Sequence, residues 1–194
     1  MTAGGLILVV GPSGAGKDSL LRAAMAHFAG DARFVFPRRV VTRATHPDTE
    51  DHDSLSTDEF EAVHLRGGFA LHWQAHGLSY GVPASVRGDM ALGGMVIVNV
   101  SRAIIADAAK AFPRLAVIEV TAPPEILMAR LAARGRGADG NISQRLARKP
   151  APYPPGLNLL TIVNDETLQQ AGQAFIRAIE RLAQKISLPP SSSR

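Results

Sequence analysis

The chain has 194 residues, nearly half of them hydrophobic, with a net charge of +4 and no cysteine. This length allows one well-packed domain, and the lack of cysteine excludes disulfides and thiolate metal sites, which fits a reducing cytoplasm. No apolar run reaches the length of a membrane span, and the N-terminus lacks the layout of a signal peptide, so we expect a cytoplasmic protein with no membrane contact. The modest charge favours a small polyanionic substrate over nucleic acid as the partner.

Short apolar runs alternate along the chain with longer stretches of helical period, which predicts an α/β fold with a parallel sheet covered by helices. The predicted strands are Leu6–Val10, Val40–Thr42, Met95–Val100, Ala116–Val120 and Leu159–Val163. The predicted helices are Asp18–Phe28, Ala103–Phe112, Pro124–Arg134, Ile142–Arg148 and Glu166–Lys185. In the last helix one apolar face is expected to be buried. Its members are Leu168, Ala171, Phe175, Ile179 and Leu182.

A glycine-rich turn, residues 11–17, joins the first strand to the first helix. Its glycines let backbone N–H groups face an anion, and the helix N-terminus adds a positive dipole. Strand, turn and helix in this order predict a nucleotide-binding P-loop, in which Lys17 reaches the β- and γ-phosphates. The residues expected to bind the nucleotide here are Gly11, Ser13, Gly14, Ala15, Gly16, Lys17, Asp18 and Ser19.

Asp18 stands where a P-loop has Ser or Thr, whose hydroxyl ligates Mg²⁺. A carboxylate beside a triphosphate is repelled in a dry site unless a cation lies between them. Either Mg²⁺ bridges Asp18 and the phosphates, or Asp18 turns away and stabilises the first turn of its helix. Ser19 lies about 100° further round the helix and does not replace the missing hydroxyl. The first alternative makes Asp18 the predicted metal ligand.

Two segments interrupt the core pattern. Residues 43–87 contain short strand-like pieces, Phe69–Trp73 and Leu78–Val82, and one helix, Thr57–Arg66, for which Ser56 and Glu59 have capping-box spacing. We interpret this segment as an acceptor-binding subdomain. Residues 134–148 are rich in arginine and glycine and are interpreted as a lid over phosphates, with a plain solvated loop as the alternative. The single domain, 1–186, then has a core of residues 1–42, 88–133 and 149–186, followed by a disordered tail, 187–194.

Motifs along nearly the whole chain resemble the guanylate kinase family. They are the P-loop, Thr42-Arg43, the stretch 68–83, the arginines between Arg130 and Arg145, and Val163-Asn164-Asp165. The resemblance implies a three-layer P-loop core with an inserted acceptor-binding subdomain and a lid, ATP as the phosphoryl donor, and Asn164 beside the adenine. The expected catalytic residues are Lys17 with Arg134 and Arg145 of the lid, and Arg136 and Arg148 are alternatives for the two lid arginines.

The residues that recognise guanine in that family are replaced in this chain. His72 stands where a glutamate reads the base and Val82 where a Ser or Thr donates to it, and such losses cost ~10⁴-fold in discrimination. The stretches Gly16–Ser19, Glu50–Asp53, Trp73–Gly81 and Asn99–Arg102 resemble the ribose 1,5-bisphosphate phosphokinases of phosphonate catabolism. This resemblance implies that ATP, with Mg²⁺, phosphorylates the 1-phosphate of ribose 1,5-bisphosphate to give 5-phosphoribosyl 1-diphosphate (PRPP) and ADP.

Several polar residues are candidates for binding this acceptor. Arg43 and Tyr80 are expected at a phosphate. Because Arg38 and Arg39 alternate along a strand, at most one of them faces the site, and Arg39 is the candidate. The other candidates are Asp51, Asp53, His72, Asn99 and Ser101. The acidic run Glu50–Asp53 is explained equally well as a solvated turn as by a role in binding. His72 is explained equally well as a structural histidine.

Two questions stay open at this stage, the function and the oligomeric state. A guanylate kinase with atypical acceptor recognition and a non-catalytic guanylate-kinase-like binding module are the alternative functions. The oligomeric state is a monomer or a homodimer.

Overall fold

The structure, a computed structural model, describes residues 4–43, 52–133 and 152–188. The strands are β1 (Gly5–Val10), β2 (Phe34–Val35), β3 (Arg39–Val41), β4 (His52–Ser54), β5 (Phe69–Ala75), β6 (Leu78–Pro83), β7 (Met95–Asn99), β8 (Leu115–Thr121) and β9 (Asn158–Val163). The helices are α1 (Lys17–His27), α2 (Thr57–Leu65), α3 (Val86–Ala91), α4 (Ile105–Ala111), α5 (Pro124–Ala133) and α6 (Leu168–Ser187), with a 3₁₀ turn at Arg102–Ile104. The predicted lid, the helix Ile142–Arg148 and residues 189–194 of the predicted tail lie outside the described residues.

The central sheet has the strand order β2-β7-β1-β8-β9, and all its neighbouring pairs are parallel. The middle strand β1 is buried along its whole length, because helices cover one face of the sheet and a second sheet with α3 and α4 covers the other. Continuous apolar strands are typical of a sheet that is buried on both faces. The prediction of an α/β fold with a parallel sheet is confirmed.

The strand predicted at Val40–Thr42 forms as β3, but its place in the parallel sheet was wrongly predicted. β3 belongs to a second, four-stranded sheet of order β4-β3-β6-β5, and β2 forms the edge of the central sheet instead. An apolar run shows that a strand forms but not which partner it pairs with, because pairing is decided by contacts distant in the chain. β2, β4 and α3 are further elements that the pattern did not predict.

Helices α1, α5 and α6 cover one face of the central sheet. Ala171, Phe175, Ile179 and Leu182 of α6 are buried there as predicted, whereas Leu168 at the first position of the helix is 56% exposed. The helix begins after Thr167, which forms a capping box with Gln170, so its first turn lies beyond the edge of the buried stripe. None of the described helices combines the length and the apolarity needed to cross a membrane.

The second sheet has two different faces. Strand pairing puts Trp73 opposite Tyr80, and these residues share one face with Leu71 and Val82, which packs on the central sheet. We call this the inner face. On the outer face lies α2, where Phe60 stacks on Phe69. The predicted Ser56–Glu59 capping box starts α2, with Glu59 N donating to Ser56 Oγ at 3.3 Å.

Candidate active site

The glycine-rich turn follows β1 at the carboxyl edge of the central sheet, where ligands bind in open α/β folds. Gly11 has a φ of 146°, and a side chain there would collide with the Val120 carbonyl of β8. Gly16, with a φ of 87°, is the residue that starts α1. Both positions therefore need glycine, because a left-handed backbone and close packing exclude a Cβ. The turn is held against β8 and presents the N-terminus of α1.

Lys17 lies at the start of α1 with its ammonium turned back over the loop. Its Nζ donates to the carbonyl oxygens of Gly11 at 2.9 Å and Pro12 at 3.0 Å. Ser13 is exposed at the outside of the turn, whereas Gly14 and Ala15 are buried. The predicted nucleotide-binding residues of the turn thus form one continuous structure with a cation held above it. Such a cation is suited to binding the phosphates of a nucleotide.

Asn164 packs directly on the P-loop backbone. The side chain is 4% exposed, and its Nδ2 donates to the carbonyl oxygen of Ala15 at 2.8 Å. Its own backbone N–H donates to Thr121 at the end of β8, at 2.7 Å. A methyl group on Gly16 would overlap with the amide nitrogen of Asn164. The amide of Asn164 therefore holds the loop, a contact that differs from the adenine contact implied by the resemblance.

Arg130 is a residue to which the sequence analysis gave no role. It lies on α5, and its Nη1 is 3.9 Å from the position that a Cβ on Gly16 would occupy. This nitrogen is buried and has no hydrogen-bond partner among the described residues. Buried donors are rarely left unpaired, so an anion at the P-loop is the natural acceptor. The sequence signal was that Arg130 lies four residues before Arg134, in the arginine-bearing stretch that resembles the guanylate kinase family.

Asp18 lies beside the end of β7. The Nδ2 of Asn99 donates to Asp18 Oδ1 at 3.2 Å, and Asn99 is 7% exposed. Because β7 is the neighbour of β1, with Asn99 opposite Val9, this contact brings the two polar groups together next to the P-loop. Carboxylate and amide oxygens are the ligands that Mg²⁺ prefers, and Mg²⁺ takes one or two of them when phosphates supply others. Within the described ranges, no group of three or more His, Cys, Asp and Glu residues could hold a metal by itself.

The inner face of the second sheet carries two of the predicted acceptor ligands. The guanidinium of Arg39 lies over the ring of Tyr80, 6.0 Å from its centre, and Tyr80 stacks on Trp73 at 5.3 Å. Thr42 continues the pairing with β6, accepting from Ser79 N at 2.9 Å, and thereby fixes the chain that leads to Arg43. The Nε of Arg43 is buried and has no hydrogen-bond partner in the described part of the chain. The guanidinium groups of Arg39 and Arg43 and the hydroxyl of Tyr80 are suited to binding an anionic acceptor.

Two predicted acceptor ligands lie on the outer face instead. Asp53 pairs with Arg38, Oδ1 to Nε at 3.3 Å, and His72 contacts His64 of α2, with 4.0 Å between ring centres. Partial burial of the ring, followed by the charge of His64, lowers the pKa of His72. The structure therefore does not bring His72 and Asp53 onto the face that carries Tyr80. A role for either in binding the acceptor stays a prediction.

The remaining predicted residues are placed as follows. Ser101 accepts from Ala103 N at 3.3 Å and so caps the 3₁₀ turn after β7. Ser19 lies in the first turn of α1. Asp51, Arg134 and Arg145 lie outside the described residues, so their roles stay predictions.

Comparison with known proteins identifies close relatives. The chain is 49% identical to "Ribose 1,5-bisphosphate phosphokinase PhnN" of Acidiphilium cryptum over 96% of this chain and 98% of the relative. It is 44% identical to the "Bifunctional ribose 1,5-bisphosphokinase-thymidine phosphorylase" of Azorhizobium caulinodans over 92% of this chain, but it spans only 26% of that longer protein. No protein-family model matches the chain.

Among solved structures, the guanylate kinase of Anaplasma phagocytophilum superposes with a TM-score of 0.67 at 19% identity, covering 96% of this chain and 89% of that one. At this identity the likeness shows the fold alone, and it confirms the predicted guanylate-kinase-like architecture.

Proposed function

The chain belongs to the ribose 1,5-bisphosphate phosphokinase family, and we propose that it transfers the γ-phosphoryl group of ATP to the 1-phosphate of ribose 1,5-bisphosphate. An oxygen of the 1-phosphate forms a bond to the γ-phosphorus while the bond between that phosphorus and its bridging oxygen to ADP breaks. The products are PRPP and ADP. The observation that carries the proposal is the 49% identity to a relative of that name along almost the full length of both chains.

The arrangement of the site supports an acceptor that is a phosphate. A phosphate monoester has its second pKa near 6, so the attacking oxygen is already ionised at neutral pH and no strong general base is needed. The reaction then depends on aligning two polyanions and neutralising their charge. Lys17 and the P-loop amides would hold the donor phosphates, with Arg130 beside them. Arg39, Arg43 and Tyr80 would bind the acceptor.

The inner face argues against a nucleobase as acceptor. In the described strands of the second sheet, the one carboxylate is that of Asp53, which lies on the outer face with Arg38. Val82, which is fully buried, offers the inner face no hydrogen bond. A guanine placed there would find no carboxylate among the described residues of this face to accept from its N–H groups, and each group left unpaired costs about 1–3 kcal/mol. A guanylate kinase with atypical recognition is therefore not favoured.

Asp18 and Asn99 fit a Mg²⁺ ion shared with the donor phosphates. Both supply oxygens, and their contact at the C-terminal end of β7 lies next to the loop that would hold those phosphates. When bound, Mg²⁺ would neutralise charge on the phosphates during transfer. Of the two alternatives for Asp18, this contact with Asn99 supports the metal ligand. A cytoplasmic location, the absence of nucleic-acid partners and the oligomeric state stay predictions.

A parallel assay tests the proposal. The purified chain with Mg²⁺ and ATP is offered ribose 1,5-bisphosphate, GMP and ribose 5-phosphate, and ADP release is measured. We expect turnover of the bisphosphate, and Lys17→Ala should abolish it. Turnover of GMP alone would contradict the proposal in favour of a guanylate kinase. No turnover of any acceptor would favour a binding module.

A further inference from the structure

Two side chains flank Tyr80 on the inner face of the second sheet. β6, which carries Tyr80, lies between β5 and β3. Trp73 of β5 pairs with Tyr80 from one side, and Val41 of β3 pairs with it from the other. Arg39 precedes Val41 by two positions and therefore lies on the same face of the sheet. The ring of Tyr80 thus has an indole from one neighbouring strand and a guanidinium from the other.

The contact between Trp73 and Tyr80 is a parallel stack. Their ring centres are 5.3 Å apart and their planes differ by 7°. Offset stacking at such a distance is a preferred arrangement of two aromatic rings, and it is more favourable than the buried apolar area alone would make it. The guanidinium of Arg39 lies 6.0 Å from the centre of the Tyr80 ring, which is within the range of a cation–π contact. Both contacts act on the plane of the Tyr80 ring.

Trp73 connects this ring to the core. It is 8% exposed and belongs to the apolar cluster between the two sheets, together with Leu71 and Val82. Tyr80 is only partly buried and packs at the border of that cluster. An aliphatic side chain in place of Trp73 would fill part of its space in the core, but it would not offer a flat surface to the ring of Tyr80. The indole therefore does more at this position than fill the core.

The stack decides where the hydroxyl of Tyr80 lies. The χ1 angle of tyrosine has three staggered wells about 120° apart, and a change of well moves the hydroxyl by several ångström. A partly buried tyrosine that is free to change wells would have to be ordered when the acceptor binds. A ring that is already held in one well avoids this entropic cost.

We propose that Trp73 is a positioning residue, which stacks on Tyr80 and so holds its hydroxyl ready to donate to an anionic oxygen of the acceptor. The inference deepens the proposed function and rests on it, because Tyr80 and Arg39 are assigned there to the acceptor. Trp73 acts through the ring of Tyr80 and has no contact of its own with the acceptor. Its effect is therefore confined to the acceptor and does not extend to ATP.

A double-mutant cycle tests this role. Trp73→Leu, Tyr80→Phe and the double variant are compared with the wild-type protein, with ribose 1,5-bisphosphate and ATP varied separately. Trp73→Leu should lower kcat/KM for the acceptor about 2- to 10-fold, the range of an aromatic pair, with the KM for ATP unchanged. Tyr80→Phe keeps the ring but removes the hydroxyl, and it should cost about 10- to 100-fold, as for a hydrogen bond to a charged group.

The double variant gives the decisive comparison. If Trp73 acts through the hydroxyl of Tyr80, the double variant should have the same kcat/KM for the acceptor as Tyr80→Phe, because the two residues then act as one unit. Losses that multiply would show that Trp73 acts independently of that hydroxyl, and unchanged acceptor kinetics in Tyr80→Phe would remove the hydroxyl from the site. Either result overturns the inference.

The outer face of the same sheet supplies a matched control. Phe60 of α2 stacks on Phe69 of β5, with ring centres 4.5 Å apart. Phe60→Leu removes a stack of the same kind and should lower Tm without changing the acceptor kinetics. If Trp73→Leu behaves as Phe60→Leu does, the stack on the inner face is structural and the inference is wrong. If Trp73→Leu fails to fold, Trp73→Phe, which keeps a smaller flat ring, takes its place in the cycle under the same criterion.

Tryptophan fluorescence separates this inference from the proposed function. Trp73 is the single tryptophan of the chain, so the emission reports on the stack. Ribose 1,5-bisphosphate added without ATP should change the emission, and Tyr80→Phe should raise the concentration needed for half of the change. Unchanged emission while calorimetry shows binding would overturn the inference alone. Binding without turnover would overturn the proposed function, and the cycle would then be decided on affinities. If the wild-type protein does not bind the bisphosphate, both proposals are wrong.

Discussion

Replacing Asn164 by alanine removes the side chain that holds the P-loop from the end of β9. The Ala15 carbonyl, at a residue with no exposed surface, loses the hydrogen bond of 2.8 Å from Asn164. Leaving a buried acceptor without this partner costs about 1–3 kcal/mol. For a chain of this size each kcal/mol lowers Tm by about 2–4 °C, so we expect a decrease of about 2–12 °C.

The kinetic effect distinguishes two roles of Asn164. If the amide holds the loop, a distortion of 1–2 kcal/mol at the phosphate site lowers kcat/KM about 5- to 30-fold for ATP and GTP alike, since both carry the same phosphates. If it reads the adenine, the ratio of the two values changes instead. Donor kinetics with ribose 1,5-bisphosphate and thermal unfolding are measured for Asn164→Ala, with Asn158→Ala at the other end of β9 as the control. If Tm is unchanged and the ratio of kcat/KM for ATP to that for GTP falls, Asn164 does not hold the loop.

Three further predictions concern individual groups. Asp18→Asn should raise the Mg²⁺ concentration needed for half-maximal activity, and an unaltered Mg²⁺ requirement would indicate that Asp18 only stabilises its helix. His64→Ala should raise the pKa of His72 in an NMR titration, because it removes the charge of His64 that lowers it. In the wild-type protein the lowered pKa means that the contribution of His72 to stability is present above its unfolded pKa of about 6.5 and is lost as the pH falls. The chain has two tyrosines, and in an absorbance titration Tyr153 should ionise only near pH 12; Glu119→Gln should lower that pKa, whereas an unshifted value would show that Glu119 does not act on the hydroxyl.

The local parts of the site could be predicted because they follow one another in the chain. β1, the P-loop and α1 are consecutive in the chain. An apolar run followed by spaced glycines and a lysine predicts a phosphate-binding loop between a strand and a helix. The capping box of α2 is likewise a pattern within four residues. Neither needs knowledge of a distant partner.

The contacts that complete the site join residues far apart in sequence. Asn164 bonds to Ala15 across 149 residues, and Asn99 to Asp18 across 81. No periodicity encodes such pairs, because each depends on the order in which the strands assemble.

The separation of His72 from Tyr80 did have a signal in the sequence. His76 and Gly77 both have positive φ and form a two-residue hairpin turn, with Ala75 opposite Leu78. A turn of that length fixes the register, so counting back places Trp73 opposite Tyr80 and His72 on the other face. The family resemblance brought His72 and Tyr80 into one predicted site, although alternation along β5 and β6 separates them.

The contact between Asp18 and Asn99 gives a physical reason for the carboxylate at a P-loop position that usually carries Ser or Thr. In the usual P-loop, the residue after the lysine supplies a hydroxyl to Mg²⁺. Here the loop supplies the carboxylate of Asp18 and the strand supplies the neutral amide of Asn99, in contact at 3.2 Å. Two carboxylates at that distance would repel each other and raise the pKa of one of them. In the proposed Mg²⁺ site, an amide on β7 would leave a single negative charge beside the metal, and it donates a hydrogen bond that orients Asp18. Asn99→Asp should therefore weaken the use of Mg²⁺ at neutral pH unless Asp18 is changed to serine or threonine in the same chain, and a double variant no more active than Asn99→Asp alone would contradict this account.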